Sequence, residues 1–317
     1  MSMRVALARG SNYNGSMSDA SGQPVIVVVN PYSGTGSRRA LIDQLDRELR
    51  SRGFAATICW GLETRQTALN DRALLQHCRC IVVAGGDGTL SDTINTRPGC
   101  PVAVLPAGNE NLFARQFGFS RDVVALVDTI ARGKERRIDL GRAGDLYFSL
   151  MVSAGFDADV VHRVAAWRQA TAGRGVIRRI RRASYVLPTI EAIGHYDWPP
   201  ITLETDRRTI TGAIVMVFNA PPYARCRDPL PHSDPADGLL DWIVFKRTGP
   251  LRVLQYDCLM RTRRLLDSPH VEYGQSRCLQ ITSDTPVPVQ CDGEATGHLP
   301  INVRVEPAAL RVMDTSP

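Results

Sequence analysis

A glycine-rich turn at residues 85–89 carries the residue types best suited to holding a phosphate group. It reads Gly85-Gly86-Asp87-Gly88-Thr89 and directly follows an apolar run at residues 81–84. A short apolar run beside glycines is typical of a buried strand, and glycine lets the backbone come close to a ligand. Amides turned toward one point, ahead of a helix beginning near Leu90, form an anion site. Asp87 adds a carboxylate for Mg²⁺ and Thr89 a hydroxyl, although an ordinary turn with a solvated aspartate is the alternative.

A second candidate for a chemical role is the carboxylate of Glu294, in the turn Asp292-Gly293-Glu294. Phosphoryl transfer needs donors around the phosphates, a divalent cation and a base on the acceptor hydroxyl. A turn residue on a rigid sheet is well placed to face a cleft and act as that base. The other interpretation is a plain hairpin turn, and the glycine turn in the same chain favours the base.

Aspartates are dense just before a strand predicted at residues 239–245. Asp234, Asp237 and Asp241 lie within eight residues of one another. Clustered carboxylate oxygens are typical of a hard-cation site, and Asp237-Gly238 is equally typical of a surface turn. The six histidines show no metal-ligand spacing.

Size and composition predict a globular protein of two domains. The chain has 317 residues, 44% hydrophobic and 22% charged, which is enough for two separate cores. An excess of 38 Lys and Arg over 32 Asp and Glu suits anionic partners such as nucleotide, nucleic acid or an acidic membrane. Eight scattered cysteines without zinc spacing predict reduced thiols and a cytoplasmic location. Residues 1–23 are expected to be a disordered tail rather than a signal peptide, and no apolar run is long enough to span a bilayer.

The first half of the chain alternates predicted strands with predicted helices. Strands are expected at 25–29, 55–60, 81–84 and 101–105, with helices after residue 37 and at 67–77, after 111 and at 122–131. This alternation predicts a parallel α/β sheet. Ligands of such sheets bind beyond the carboxyl ends of the strands. The loops at 30–37, 85–89 and 106–111 leave that edge, so we expect them to converge on one nucleotide.

The pattern changes after Asp139-Leu140-Gly141. Strands are expected at 147–152, 201–205, 209–218, 239–245, 279–282, 287–290 and 301–305. They are separated by Gly, Pro and Asp turns, which indicates an antiparallel β-sandwich, with helices near 160–172, 176–193 and 251–266. The expected organisation is a tail at 1–23, an α/β nucleotide-binding domain at 24–140 and a β-sandwich domain at 141–317. A last strand is expected near 310–313, and packing of this strand on the first domain is an open alternative.

The strongest charge feature is a run of arginines at residues 174–182. On a helix, its isoleucines share one side while the arginines flank them, and a basic amphipathic helix can rest on an anionic bilayer. The arginines expected to touch the membrane are Arg178, Arg179, Arg181 and Arg182. A solvated helix packed on the sandwich is the alternative. Nucleic-acid binding is disfavoured because few aromatics accompany the arginines.

Taken together and in order, seven short motifs resemble the diacylglycerol kinase catalytic-domain family, particularly the bacterial YegS-like lipid kinases. The resemblance covers nearly the whole chain from Val25 onward. It rests on Asn30-Pro31…Ser33-Gly34-Thr35-Gly36, Gly85-Gly86-Asp87-Gly88-Thr89, Pro106…Gly108…Asn111…Phe113-Ala114-Arg115, Asp139-Leu140-Gly141, Ala154-Gly155-Phe156-Asp157, Asp237-Gly238-Leu239-Leu240-Asp241 and Asp292-Gly293-Glu294.

The resemblance implies an ATP- and Mg²⁺-dependent kinase that phosphorylates a lipid hydroxyl in a cleft between the two domains. It implies that Glu294 is the general base and that Asp87 serves catalysis. The implied nucleotide contacts are Asn30, Pro31, Tyr32, Ser33, Gly34, Gly85, Gly86, Asp87, Gly88, Thr89, Leu90, Ser91 and Asn109. The implied metal site uses Asp237 with backbone oxygens near Asp234 and Leu239.

One departure from the family pattern concerns the third loop. The family usually reads Gly-Thr-x-Asn-Asp, whereas this chain reads Gly108-Asn109-Glu110-Asn111-Leu112. The carboxylate missing at Leu112 leaves Glu110 as its replacement. Diacylglycerol is the default acceptor. A sphingoid base, another lipid or a nicotinamide dinucleotide stays open, as do a regulator without turnover and a homodimer.

Overall fold

The strand predicted after the tail is β1 in the computed structural model, which describes residues 22–30, 38–172, 185–221, 223 and 228–317. The strands are β1 (Pro24–Val29), β2 (Ala55–Trp60), β3 (Cys80–Gly85), β4 (Val102–Pro106), β5 (Glu135–Ala143), β6 (Leu146–Phe148), β7 (Met151–Gly155), β8 (Ile201–Thr205), β9 (Thr209–Gly212), β10 (Ile214–Phe218), β11 (Leu240–Phe245), β12 (Val271–Ser276), β13 (Cys278–Thr282), β14 (Pro288–Cys291), β15 (Glu294–His298) and β16 (Ile301–Met313).

Helices connect the parallel strands and cover one face of the second half. They are α1 (Arg38–Ser51), α2 (Gly61–Asn70), α3 (Arg72–His77), α4 (Asp87–Asn95), α5 (Leu112–Gln116), α6 (Val123–Arg132), α7 (Phe156–Ala172), α8 (Val186–His195) and α9 (Pro250–Arg261). Within the described part of the chain, no helix has the length and apolar character needed to cross a membrane.

The parallel strands lie in the order β2-β1-β3-β4. All of the apolar residues of β1 from Val25 to Val29 are almost fully buried, as expected for a strand covered on both faces. The strand order reverses between β1 and β3, and ligands of doubly wound sheets bind at such a reversal. The loops that leave β1 and β3 therefore flank the position where a ligand is expected.

The second half packs two antiparallel layers face to face. A six-stranded sheet has the order β12-β11-β10-β7-β14-β15. Alternate residues of its strands, such as Val152 and Val215, face a core shared with β8, β13 and β16. The intervening residues, such as Met151 and Met216, face α7, α8 and α9. The predicted combination of a parallel α/β part with an antiparallel sandwich is confirmed.

Strand β16 joins the two halves. It runs antiparallel to β5 and β13, and its end lies parallel to β4 at Val312 and Val102. The parallel strands and one layer of the sandwich thus belong to a single ten-stranded sheet. The boundary expected near residue 140 falls inside β5. A second link is Asn95 of α4, whose side-chain amide exchanges hydrogen bonds of 2.9 and 3.0 Å with the backbone of Tyr147.

Four predicted elements differ in detail from the observed ones. The helix expected at 67–77 is two helices, because Asp71 caps α3 by accepting a hydrogen bond from Leu74 N at 3.0 Å. The strand expected at 209–218 is divided at Ala213, whose N–H donates to Phe245 O. The strand expected at 301–305 continues to Met313. The strand expected at 147–152 is divided between β6 and β7, and strands β5, β12 and β15 were not among the predicted ones.

Candidate active site

The glycine turn connects the end of β3 to α4 and lies beside the end of β1. Gly86 has extended backbone angles and is the N-cap of α4, and its carbonyl accepts from the N–H of Thr89 at 3.0 Å. Asn30, the residue after β1, donates from Nδ2 to Thr89 Oγ1 at 3.1 Å. The predicted residues that follow β1 and β3 are therefore in direct contact, with the first amides of α4 at the carboxyl edge of the sheet. Such an arrangement favours an anion.

The third loop packs so closely against the glycine turn that Gly108 has no room for a side chain. A Cβ on Gly108 would lie 2.6 Å from Gly86 Cα, which no side chain tolerates. Asn111 adopts a left-handed conformation (φ 50°) and closes the loop with its side chain. Its Oδ1 accepts from Gly108 N at 2.8 Å, and its Nδ2 donates to Gly108 O at 2.9 Å.

The Asp87 carboxylate fastens these two loops together. Its oxygens accept hydrogen bonds from the N–H groups of Leu112 and Phe113, both at 3.1 Å. Burial raises the pKa of Asp87, the two amides oppose that rise, and the neighbouring Glu110 carboxylate adds to it. Asp87 thus has a structural role that its position in the sequence does not indicate. The carboxylates of Asp87 and the neighbouring Glu110 supply oxygen donors, the ligand type that a hard cation such as Mg²⁺ prefers.

Glu294 begins β15 after a tight two-residue turn. Asp292 (φ 48°) and Gly293 (φ 84°) both have positive φ, the conformation of a type I′ hairpin turn. The Asp292 carboxylate holds the turn by accepting from Ser149 N, Ser149 Oγ, Leu150 N and Met151 N at 2.8–3.0 Å.

The Glu294 carboxylate lies against the glycine turn. A Cβ placed on Gly88 would be 3.0 Å from Glu294 Oε1. Gly88 and Glu294, 206 positions apart in the sequence, therefore lie side by side where the parallel part meets the sandwich. This proximity was the decisive structural requirement of the predicted chemistry.

Charges around Glu294 act in opposite directions. Desolvation by the cleft raises the pKa of Glu294, Asp92 adds to the rise, and Arg168 opposes it. Arg168 Nη1 lies 3.7 Å from Glu294 Oε2, and 53% of the Glu294 side-chain surface is accessible. Solvent therefore screens this ion pair, and Glu294 remains reachable by a substrate.

A buried polar network behind Glu294 was not identified from the sequence. Gln290 accepts from Gly293 N at 2.8 Å, and donates to Ser153 Oγ at 2.8 Å and to Asp157 Oδ2 at 3.2 Å. Asp157 also accepts from Ser153 Oγ at 2.6 Å and from the Tyr223 hydroxyl. The one signal for this network was Asp157, which ends one of the seven motifs.

Two family comparisons match consecutive parts of the chain. Residues 24–143 match the diacylglycerol kinase catalytic domain. Residues 150–314 match the YegS C-terminal NAD kinase beta sandwich-like domain, which alone spans more than half of the chain. The chain belongs to the YegS-like diacylglycerol kinase family. The resemblance carried by the seven motifs is thereby confirmed.

Similar proteins of this family come from several bacteria. A diacylglycerol kinase of Bacillus subtilis (strain 168) is 23% identical over 287 residues, covering 86% of this chain and 90% of that protein. One of Staphylococcus carnosus (strain TM300) is 22% identical over 285 residues, covering 87% and 90%. A solved structure of a diacylglycerol kinase from Bacillus anthracis str. Sterne superposes with a TM-score of 0.72 at 20% identity, covering 92% of this chain and 97% of that one. The structural likeness extends over both halves of the fold.

The remaining residues that the YegS-like family implies for nucleotide binding differ in how accessible they are to a ligand. Leu90 is buried in the core, so only its backbone is available to a ligand. Ser91 is half-buried and its carbonyl accepts from Asn95, while Asn109 is exposed on the third loop. Pro31, Tyr32, Ser33 and Gly34 lie outside the described residues, as do Arg178, Arg179, Arg181 and Arg182.

The metal site that the YegS-like family implies lies in a turn before β11. Asp237 accepts from Leu239 N at 2.9 Å and from Gln275 Nε2 at 3.2 Å. Asp234 accepts from Ala236 N at 3.0 Å. Across the described ranges, no three His, Cys, Asp or Glu side chains form a metal-binding group. These contacts match the surface-turn alternative, and a cation held by Asp237 with backbone oxygens stays a prediction.

Proposed function

We propose that the chain is a kinase that transfers the γ-phosphoryl group of ATP to a lipid hydroxyl, with a diacylglycerol-like acceptor as the default. The observation that carries this proposal is the position of Glu294 Oε1 against Gly88. It brings a carboxylate that can accept a proton next to a turn that can hold phosphates. Family membership supports the same reaction class.

The residues divide the chemistry between the two halves of the molecule. Backbone amides of the glycine turn that precede Thr89, at the first turn of α4, bind and orient the phosphates of the donor. Asn30 fixes the hydroxyl of Thr89, which keeps that edge of the site in one arrangement. The accessible Glu294 carboxylate accepts the proton of the acceptor hydroxyl as its oxygen attacks. A pKa raised by the cleft makes Glu294 a better proton acceptor than an ordinary surface carboxylate.

Mg²⁺, when bound, neutralises charge that develops on the transferred phosphoryl group. Asp87, with Glu110 beside it, is the set of residues at the phosphate turn that would hold it. Glu110 would then replace the carboxylate that the family usually has at the position of Leu112. A second, structural cation at Asp237 near Asp234 and Leu239 remains part of the proposal.

The test is lipid-dependent consumption of ATP. The purified chain is incubated with ATP, Mg²⁺ and detergent micelles that contain diacylglycerol, a sphingoid base or another lipid alcohol, and NAD is assayed without micelles. We expect turnover with a lipid and its loss in Glu294→Gln. The matched control is Glu204→Gln, an exposed carboxylate on β8 in the other sheet, which should retain turnover. Turnover with NAD alone would point to the other acceptor class, and nucleotide binding without any turnover would support a regulator.

A membrane surface is the partner proposed for a lipid kinase. The arginines Arg178, Arg179, Arg181 and Arg182 are proposed to contact anionic lipid. Sedimentation with vesicles of anionic and of neutral phospholipid compares the parent chain with a variant in which the four arginines are glutamines. Weaker binding of the variant to anionic vesicles alone is the expected result, and equal binding of both proteins contradicts the proposal.

A further inference from the structure

We propose that Gln290 is a positioning residue that sets the orientation of Glu294 through the peptide group of Gly293. This inference rests on the proposed function, because it concerns the same general base. Gln290 itself is not proposed to contact a reacting atom. Its role is to fix the turn from which the Glu294 side chain extends.

The first step is the contact between Gln290 and the turn. Gln290 is only 2% exposed, so both ends of its amide need partners. Its Oε1 accepts from Gly293 N at 2.8 Å, and its Nε2 faces Ser153 and Asp157. A reversed amide would place its NH₂ against the Gly293 N–H, so the surrounding donors and acceptors allow a single orientation. The Gly293 peptide precedes Glu294 directly and therefore carries this constraint to it.

The second step is the irregular pairing of the hairpin. The register between β14 and β15 shifts after Val289, so that Gln290 faces Ala295 and Cys291 faces Glu294. The shift leaves Thr296 as an extra residue in β15, and such bulges re-aim side chains near active sites. The two-residue turn and the bulge enclose Glu294 on both sides. Gln290 is the buried side chain that bonds to this turn from the neighbouring strand.

The third step is the connection to α7. Asp157, in the first turn of α7, accepts from Ser153, Tyr223 and Gln290. Further along the same helix, Arg168 lies 3.7 Å from Glu294. Helix α7 also packs along β14 and β15. The network therefore couples the turn that carries Glu294 to the helix that carries Arg168.

Two substitutions of Gln290 test the proposal in the full-length chain. Gln290→Met keeps the length of the side chain and removes every hydrogen bond. Gln290→Glu keeps the acceptor for Gly293 and puts a second carboxylate beside Asp157. Displacing a reacting group by about 1 Å costs on the order of 100-fold in rate, so we expect kcat to fall by about 10- to 100-fold. The KM for ATP should stay within about twofold of the parent value.

A charge exchange and a matched pair of serines complete the experiment. Asp157→Asn combined with Gln290→Glu moves the single carboxylate to the other end of the hydrogen bond and should restore part of the lost kcat. If Gln290→Met does not fold, Ser153→Ala takes its place, because it removes a hydrogen-bond partner of both Gln290 and Asp157. Its control is Ser276→Ala, another buried hydroxyl with two hydrogen bonds at the far edge of the same sheet. Ser153→Ala should lower kcat and Ser276→Ala should not.

The inference and the proposed function fail in different ways. Parent-level kcat in both Gln290 variants, with Glu294→Gln inactive, overturns the positioning role and leaves the base in place. The role is also overturned if the loss of kcat in each variant is no larger than its lowered melting temperature explains. Ser276→Ala measures how much kcat falls when stability alone is reduced. Full activity of Glu294→Gln removes the base itself and the positioning role with it.

Discussion

The most direct test of the contact between Gly88 and Glu294 is the addition of a single methyl group in the variant Gly88→Ala. Gly88 lies in the first turn of α4, and its φ is not in the left-handed region. Alanine is therefore compatible with the backbone there. Replacing a helical glycine by alanine stabilises a protein by about 0.5–1 kcal/mol. Gly88→Ala should accordingly fold at least as well as the parent chain.

The cost of this methyl group falls on Glu294. The new Cβ would lie 3.0 Å from Glu294 Oε1, whereas ordinary contacts begin at 3.4 Å. The accessible carboxylate can retreat, and a displacement of about 0.4 Å suffices to relieve the contact. Scaling from about 100-fold in rate per 1 Å of misplacement gives a loss of about sixfold in kcat.

The assay combines lipid-dependent turnover with thermal unfolding. Gly194→Ala is the matched control, because Gly194 lies in α8, has no positive φ and has, among the described residues, no atom within 4 Å of an added Cβ. It should gain stability and keep kcat. In a Glu294→Gln background, Gly88→Ala should change the residual rate no further, since the carboxylate it displaces is gone. Unchanged kcat in Gly88→Ala, or an equal loss in both backgrounds, would refute the reasoning.

Three other variants address the loops, the pH dependence and the link between the halves. Asp87→Asn should abolish turnover and lower the free energy of unfolding by about 1–3 kcal/mol, since an amide accepts from one of two backbone N–H groups and opposes the other; thermal unfolding and turnover check both effects. Arg168→Gln should move the acidic limb of the kcat/KM profile to higher pH, because Arg168 lowers the pKa of Glu294 and the base must be deprotonated. Asn95→Ala should lower stability by about 1–3 kcal/mol by leaving the backbone of Tyr147 unpaired, and denaturant unfolding measures it. Parent-level turnover in Asp87→Asn would contradict the first expectation. An unshifted pH profile in Arg168→Gln would contradict the second, and an unchanged denaturation midpoint in Asn95→Ala the third.

Local patterns predicted the elements that are buried on both faces. The runs 25–29 and 101–105 are β1 and β4 to within one residue, because apolar residues next to Gly and Pro leave few alternatives. Strand β15 was missed, since its side chains are almost all exposed and show no alternation. Strand β5 was not predicted: the sequence pattern changes after Asp139-Leu140-Gly141, which indicated a domain boundary there, and the partner of this strand, β16, lies far away in the sequence.

The features of the site also differ in whether neighbouring residues in the sequence could predict them. The glycine turn and its helix follow from adjacent residues, whereas the approach of Glu294 to Gly88 joins distant ones and was expected from the place of Glu294 in a turn together with the family resemblance. The partners of Asp87 are backbone amides 25 and 26 residues further on, and backbone amides leave no trace in residue types. Gln290 was overlooked for a similar reason: a glutamine in a strand has no distinctive spacing, and its importance depends on folded partners.

The path of β16 has a consequence for how the protein is made. Strand β4 is synthesised about 200 residues before the strand that covers its edge. During translation the nucleotide-binding half therefore presents an unpaired strand to its surroundings for most of the time the ribosome is at work. Such long-range pairing slows folding and leaves nascent chains open to association with one another. Chaperone capture of the emerging chain should accordingly end only once residues 301–313 have left the exit tunnel.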